Sequence, residues 1–114
     1  MIKEQLVSFE VAQLLKAKGF NVIVTDSYRA NGQLRGEFKF CNYPAPTQQM
    51  AMRWLREKHN IKIEILITGN AWFYNIVTKG INGVNKIPSP AGFTYSYEDA
   101  VEAAIKYCLK YDLI

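Results

Sequence analysis

From Ile61 to Ile67 the chain alternates isoleucine with Lys62, Glu64 and Leu66. Successive side chains on a strand point to opposite faces, so this alternation describes a strand with one apolar face and one wetter face. The stretch just before it has a different period. Met50, Ala51, Trp54, Leu55 and Lys58 recur at helical spacing, with Arg53, Arg56 and Glu57 on the other side. Pro44 and Pro46 interrupt the chain ahead of them, and Thr47 stands where a helix cap belongs. The spacing predicts a helix over Gln48–Lys58, a break at His59-Asn60 and a strand from Ile61. A helix joined to an alternating strand places the chain in the α+β class.

The rest of the chain extends the pattern. Ser8 precedes Glu10, Val11, Leu14, Leu15 and Lys18, and Gly19 follows, which predicts a helix over Phe9–Lys18 with a glycine stop. Asn21–Tyr28 and Leu34–Phe40 read as two strands joined through Arg29-Ala30-Asn31-Gly32-Gln33, where Asn31-Gly32 is a hairpin signal. On the second of these, Leu34, Phe38 and Phe40 face one way and Arg35, Glu37 and Lys39 the other. Thr68-Gly69-Asn70-Ala71 turns the chain into a strand over Trp72–Thr78. Residues Lys79–Thr94 carry Gly80, Gly83, Pro88, Pro90 and Gly92 and form a long loop, which a short edge strand around Val84–Ile87 would relieve. Ser96-Tyr97-Glu98-Asp99 resembles a capping box, and Val101, Ala104, Ile105, Cys108 and Leu109 make an apolar stripe for a last helix over Tyr97–Tyr111. The order α-β-β-α-β-β-α predicts one domain, 1–114, built as an antiparallel four-stranded sheet with helices packed on one face.

Composition narrows the function classes. Hydrophobic residues make up 49% of the 114 and charged residues 21%, the balance of a folded globular chain. No apolar run approaches the length of a membrane helix, and Met1-Ile2-Lys3-Glu4-Gln5 does not lead into a signal-peptide core, so the expected compartment is the cytoplasm. Cys41 and Cys108 have no paired-ligand spacing and read as two reduced thiols. The net charge of +4 suits an anionic partner without demanding one.

Tyr43–Ile67 also carries a family likeness. The block Ala45-Pro46-Thr47, Trp54-Leu55-Arg56-Glu57 and His59-Asn60-Ile61-Lys62-Ile63 is followed by Trp72-Phe73-Tyr74 and by Ser96-Tyr97-Glu98-Asp99-Ala100 with its terminal helix. In this pattern the chain resembles a group of short proteins encoded by phages and prophages of gut Bacteroidetes. The resemblance implies a mobile-element origin and a compact α+β fold, and it supplies no activity.

His59, the one histidine, sits at a predicted helix C-terminus, where an imidazolium stabilises the last carbonyls. Glu98, Asp99 and Glu102 crowd a helix start, and Glu57 and Glu64 flank the helix–strand junction. No nucleophile motif, phosphate-cradling glycine loop or paired metal-ligand spacing occurs, so no catalytic residue, cofactor or metal is expected. Trp54 has the spacing of a core anchor. Trp72 and Tyr74 share one strand face and Phe73 takes the other. With Arg53, Arg56 and Lys62, Trp72 and Tyr74 form the expected interaction surface, to which Arg35 and Lys39 could add charge. The leading expectation is a non-enzymatic accessory protein that binds another protein. The alternatives are nucleic-acid binding through a basic, aromatic sheet face and a small enzyme with a site near His59. A homodimer pairing across a strand edge is a further expectation.

Overall fold

A computed structural model of the chain describes residues 4–22, 24, 26–35, 43–69, 71–80, 83–88 and 96–110. Helix α1 spans Phe9–Ala17, and the Ser8 hydroxyl accepts a hydrogen bond from the Val11 N–H at 3.2 Å. Gly19 follows with φ +90, and the Phe20 N–H closes the end on the Leu15 carbonyl. Helix α2 spans Gln48–His59; its Thr47 hydroxyl accepts from the Met50 N–H at 3.1 Å, and Asn60 ends it in the left-handed conformation at φ 55. Helix α3 spans Tyr97–Lys110, with the Ser96 hydroxyl accepting from the Asp99 N–H at 3.0 Å. Each predicted cap is present because a short oxygen-bearing side chain satisfies an otherwise orphaned N–H.

The strands do not form one four-stranded sheet. Strands β1 (Ser27–Tyr28), β2 (Leu34–Arg35) and β3 (Tyr43–Pro44) make a small antiparallel sheet in the order β2-β1-β3. Strands β4 (Ile61–Thr68), β5 (Ala71–Gly80) and β6 (Gly83–Pro88) make a separate one in the order β4-β5-β6. Of the strand predicted over Asn21–Tyr28, the described residues pair at Ser27 and Tyr28, while Phe20, Val22 and Val24 serve the helix-covered core, and 23 and 25 lie outside the described residues. Phe20 packs edge-on against Trp54, with ring centroids 5.4 Å apart, and Val22 and Val24 rest on the core. Of Leu34–Phe40, Leu34 is half exposed, against the expected inward face, and 36–40 lie outside the described residues. The Arg29–Gln33 hairpin is present, but only Gly32 has positive φ, at +88, and not Asn31. A Cβ on Gly32 would meet the Phe9 ring at 3.2 Å, so this turn needs glycine both for φ and for room. Pro44 falls in an edge strand, where its missing N–H breaks no ladder.

Sheet β4-β5-β6 is a continuous meander, and Ile61↔Thr78 through Thr68↔Ala71 pair without a bulge. The predicted edge strand near Val84–Ile87 is β6, and 81–82 and 89–95 of the expected long loop lie outside the described residues. Helices α2 and α3 cover one face of this sheet, and α1 packs on α3. The core lies between them, with Leu15, Leu55, Ile61, Ile76, Ile105 and Leu109 at 1% exposure or less.

Three details of the expected core change. Met50 and Lys58 are exposed, and the first-turn Gln48 is buried beside Ala51, Trp54 and Leu55. Helix α2 is therefore rotated towards α3, and Gln48 finds hydrogen bonds there. Ile67, expected on the apolar face, is 56% exposed because β4 outruns the helices that cover it.

Cys108 is a free thiol, fully buried on α3, while Cys41 lies outside the described residues. Burial pushes its pKa from 9.0 up to about 12. The folded state then keeps a proton that the unfolded chain releases near pH 9, so the fold loses stability as pH rises from about 9 towards 12. In a Cys41→Ser background, thiol alkylation at pH 8 should leave Cys108 unmodified in the native protein and complete it in denaturant; native labelling at the denatured rate would contradict this burial.

Candidate functional site

Two regions gather polar or exposed apolar side chains, and the elements that build them decide what each can do. The first is a junction of four segments. The Val7 N–H donates to the Pro46 carbonyl, the Gln48 N–H to the Gln5 carbonyl and the Ala45 N–H to the Asp26 carbonyl. Around it lies a cleft of about 270 Å³ lined in part by Ser8, Tyr28, Gln48, Glu98, Asp99 and Glu102. Glu102 is the hub of this cleft. One of its oxygens accepts from the Ser8 N–H at 2.7 Å, and the other from the Gln48 amide at 3.1 Å. The same Gln48 amide nitrogen donates to the Glu98 carbonyl at 2.9 Å, which satisfies a side chain only 4% exposed. The Tyr28 hydroxyl donates to the Val7 carbonyl at 2.6 Å. Burial, then the negative charges of Glu102 and Asp26, raise the Tyr28 pKa above 10.0, so the phenol keeps its proton and its bond. Glu102, Gln48, Tyr28 and the Ser8 N–H are spent on joining the N-terminal segment, α2 and α3, and the cleft reads as a structural clasp.

The second region is the β4–β5 hairpin. Its register puts Ile61, Ile63, Ile65 and Ile67 on the helix-covered face with Thr78, Ile76, Tyr74 and Trp72 opposite them. Lys62, Glu64, Leu66 and Thr68 take the other face with Val77, Asn75, Phe73 and Ala71. All four β4 side chains on this second face are exposed, and no described helix packs over them. Burial also falls along the strand, from 1% exposure at Ile61 to 56% at Ile67, with Leu66 at 46%. The hairpin end thus presents apolar side chains on both faces, each beside an aromatic: Ile67 by Trp72 and Leu66 by Phe73.

The expected interaction surface is divided by this geometry. Tyr74 is 5% exposed, in the core, because it stands opposite Ile65 beneath the helices. Trp72 is partly buried and meets Tyr97 edge-on at 5.7 Å. Arg53 is exposed on α2 and paired with Glu57 at 3.0 Å, and Arg56 is exposed on the same helix. Lys62 is exposed on the opposite side of the sheet from that helix layer. Arginines and lysine therefore do not share one surface with the two aromatics. Phe73, expected on the face opposite Trp72 and Tyr74, shares the open face with Glu64, Lys62 and Lys86, which lie further along the hairpin beside Asn75 and Val77. Lys86 pairs loosely with Glu64 at 3.6 Å, which leaves little net charge there.

His59 packs on Trp54, with ring centroids 4.7 Å apart, and lines neither this cleft nor a smaller one between Leu6, Val24 and Met50. Glu57 is held by Arg53, and Glu64 stands on the far face of the sheet. The groups proposed for a site near His59 are not brought together. Among the described residues no group of three or more His, Cys, Asp or Glu side chains could hold a metal ion, and no helix is long and apolar enough to cross a membrane. No protein-family model, curated protein or solved structure matches the chain.

Glu102→Ala should cost about 1–2 kcal/mol in urea unfolding, because it strands the Ser8 N–H and half of the Gln48 amide. Glu102→Gln, which keeps an acceptor, should cost less; equal losses from the two would show that the clasp contributes only charge.

Proposed function

We propose that this chain is a non-enzymatic accessory protein that binds another protein through the projecting end of the β4–β5 hairpin. One observation carries the reading: Leu66 and Ile67 are 46% and 56% exposed, whereas Ile61, Ile63 and Ile65 earlier on the strand are buried or partly buried. Neighbouring large apolar side chains on both faces of a protruding hairpin, each backed by an aromatic, mark the kind of surface that partners bury. The mixed charges of Lys62, Glu64 and Lys86 favour a protein surface over a polyanion. The likeness to phage and prophage proteins supports an accessory role among host or phage proteins.

A photo-crosslinking residue at Thr68 should capture one protein species from a gut Bacteroidetes lysate, and the same residue at Gln13, exposed on α1, should capture none. Ile67→Lys should weaken the captured complex at least about tenfold while leaving circular dichroism unchanged. A blank at Thr68 would overturn the reading. Binding to oligonucleotides with a log affinity–log salt slope near about −3 to −4 would replace it with a nucleic-acid function.

A further inference from the structure

We propose that two copies of this chain pair edge to edge along β4, antiparallel, with Ile63 facing Ile63 of the second copy. Strand β4 is the outer strand of sheet β4-β5-β6, and its free edge runs for eight residues without a bulge or a proline. No described strand pairs with that edge. The opposite edge is guarded: β6 is six residues long and ends in Pro88, which cannot donate to a ladder. The small sheet offers edges of only two residues. Among the described elements β4 is the one long ladder left open.

Its sequence is complementary to itself in a single register. Antiparallel partners directly opposite each other share a face, so two copies whose buried faces lie on the same side must be centred on one residue. Centred on Lys62 or on Glu64, the pairing opposes like charges. Centred on Ile65, it sets Glu64 against Leu66 and Lys62 against Thr68. Centred on Ile63, it sets Lys62 against Glu64 of the second copy twice over, with Ile61 against Ile65 on the covered face. A lysine on an edge strand ordinarily repels a second strand. Here the glutamate two residues later on the same face supplies its partner. Glu64 is available for this, since Lys86 holds it only at 3.6 Å and both side chains are about half exposed. Ile63 and Ile65, partly buried in one copy, lose their remaining exposure. The product is a continuous six-stranded sheet, with a hairpin end projecting from each half.

The inference can fail separately from the hairpin-end reading, because its pairing stretch is Ile61–Ile65 and the hairpin-end contacts are Leu66 and Ile67. Light scattering on the purified chain should give twice the 13.1 kDa of one copy. Lys62→Glu alone and Glu64→Lys alone should each weaken the dimer by about tenfold to a hundredfold, since each opposes like charges at both pairs. An equimolar mixture of the two variants should recover a heterodimer by native mass spectrometry, because every pair is again of opposite sign. Ile67→Lys should leave the dimer intact. A monomeric wild type at about 1 mM, a dimer indifferent to both single variants, or a mixture that fails to pair would each overturn the proposal. Circular dichroism on both variants separates loss of pairing from loss of fold.

Discussion

The face that Ile61, Ile63 and Ile65 share with Ile76 and Tyr74 is the surface on which α2 and α3 converge, and α1 packs on α3 behind it. Ile61 and Ile76 are at 1% exposure or less, and α2 and α3 both rest on the strands that carry them. Burying a side chain of that size contributes about 1.5–3 kcal/mol each, far more than any ion pair on this surface. The left-handed Asn60 makes the arrangement possible by turning α2 directly into β4. Helix and strand then pack on each other with no loop to order, which keeps the entropic cost of that contact low. Trp54, near the end of α2, is held between Phe20 and His59 and seals the same corner.

The N-terminal third attaches to this frame by a different logic. Its sheet pairs two residues per strand, too few to be stable alone. It is held instead by rings and by polar bonds of long sequence separation. Phe9 meets Tyr28 and Tyr43 at 5.6 Å each, while Glu102 and Gln48 fasten the start of α1 to α2 and α3. A buried glutamine is tolerated in the first turn of α2 because its amide finds both a carbonyl and a carboxylate. The acidic cluster of Glu98, Asp99 and Glu102, which resembles chemistry in the sequence, is thus accounted for largely by architecture.

Local signals in the sequence carried much of this. Ser8, Thr47, Gly19 and Ser96 announce helix ends because capping is a contact between neighbours, and the stripe from Val101 to Leu109 announces its burial by period alone. What sequence spacing did not reveal was the partner of each strand. Asn21–Asp26 has strand composition, yet Phe20 packs on Trp54, and Val22 and Val24 rest on the core. Which aromatic lies open was more nearly legible than it seemed. The two-residue turn at Gly69 pairs Thr68 with Ala71, which fixes Tyr74 opposite Ile65 and Phe73 opposite Leu66. Once Ile61 is known to face inward, Tyr74 must follow it, and counting across the turn gives Phe73 the outer face. The exposure of Ile67 is beyond such counting, since it depends on where the helices above the sheet stop.

That overhang links the two surfaces. A hairpin that outruns its helices loses the burial that stabilises the rest of the sheet, and its end is held by the ladder to β5 and by the Trp72–Tyr97 contact. Such an extension costs stability in an isolated copy, because it orders backbone and leaves Leu66 and Ile67 in water. In the proposed dimer, edge pairing through Ile61–Ile65 would anchor the base of each hairpin without touching its end. The proposed second copy would stiffen the strand where the helices already support it, so the projecting apolar residues would be presented from a broader and more rigid platform. Rigidity at the base lowers the ordering cost of whatever the end binds. Placing the charges on the stretch proposed to pair and the bare apolar residues beyond it would let one strand serve both proposed contacts.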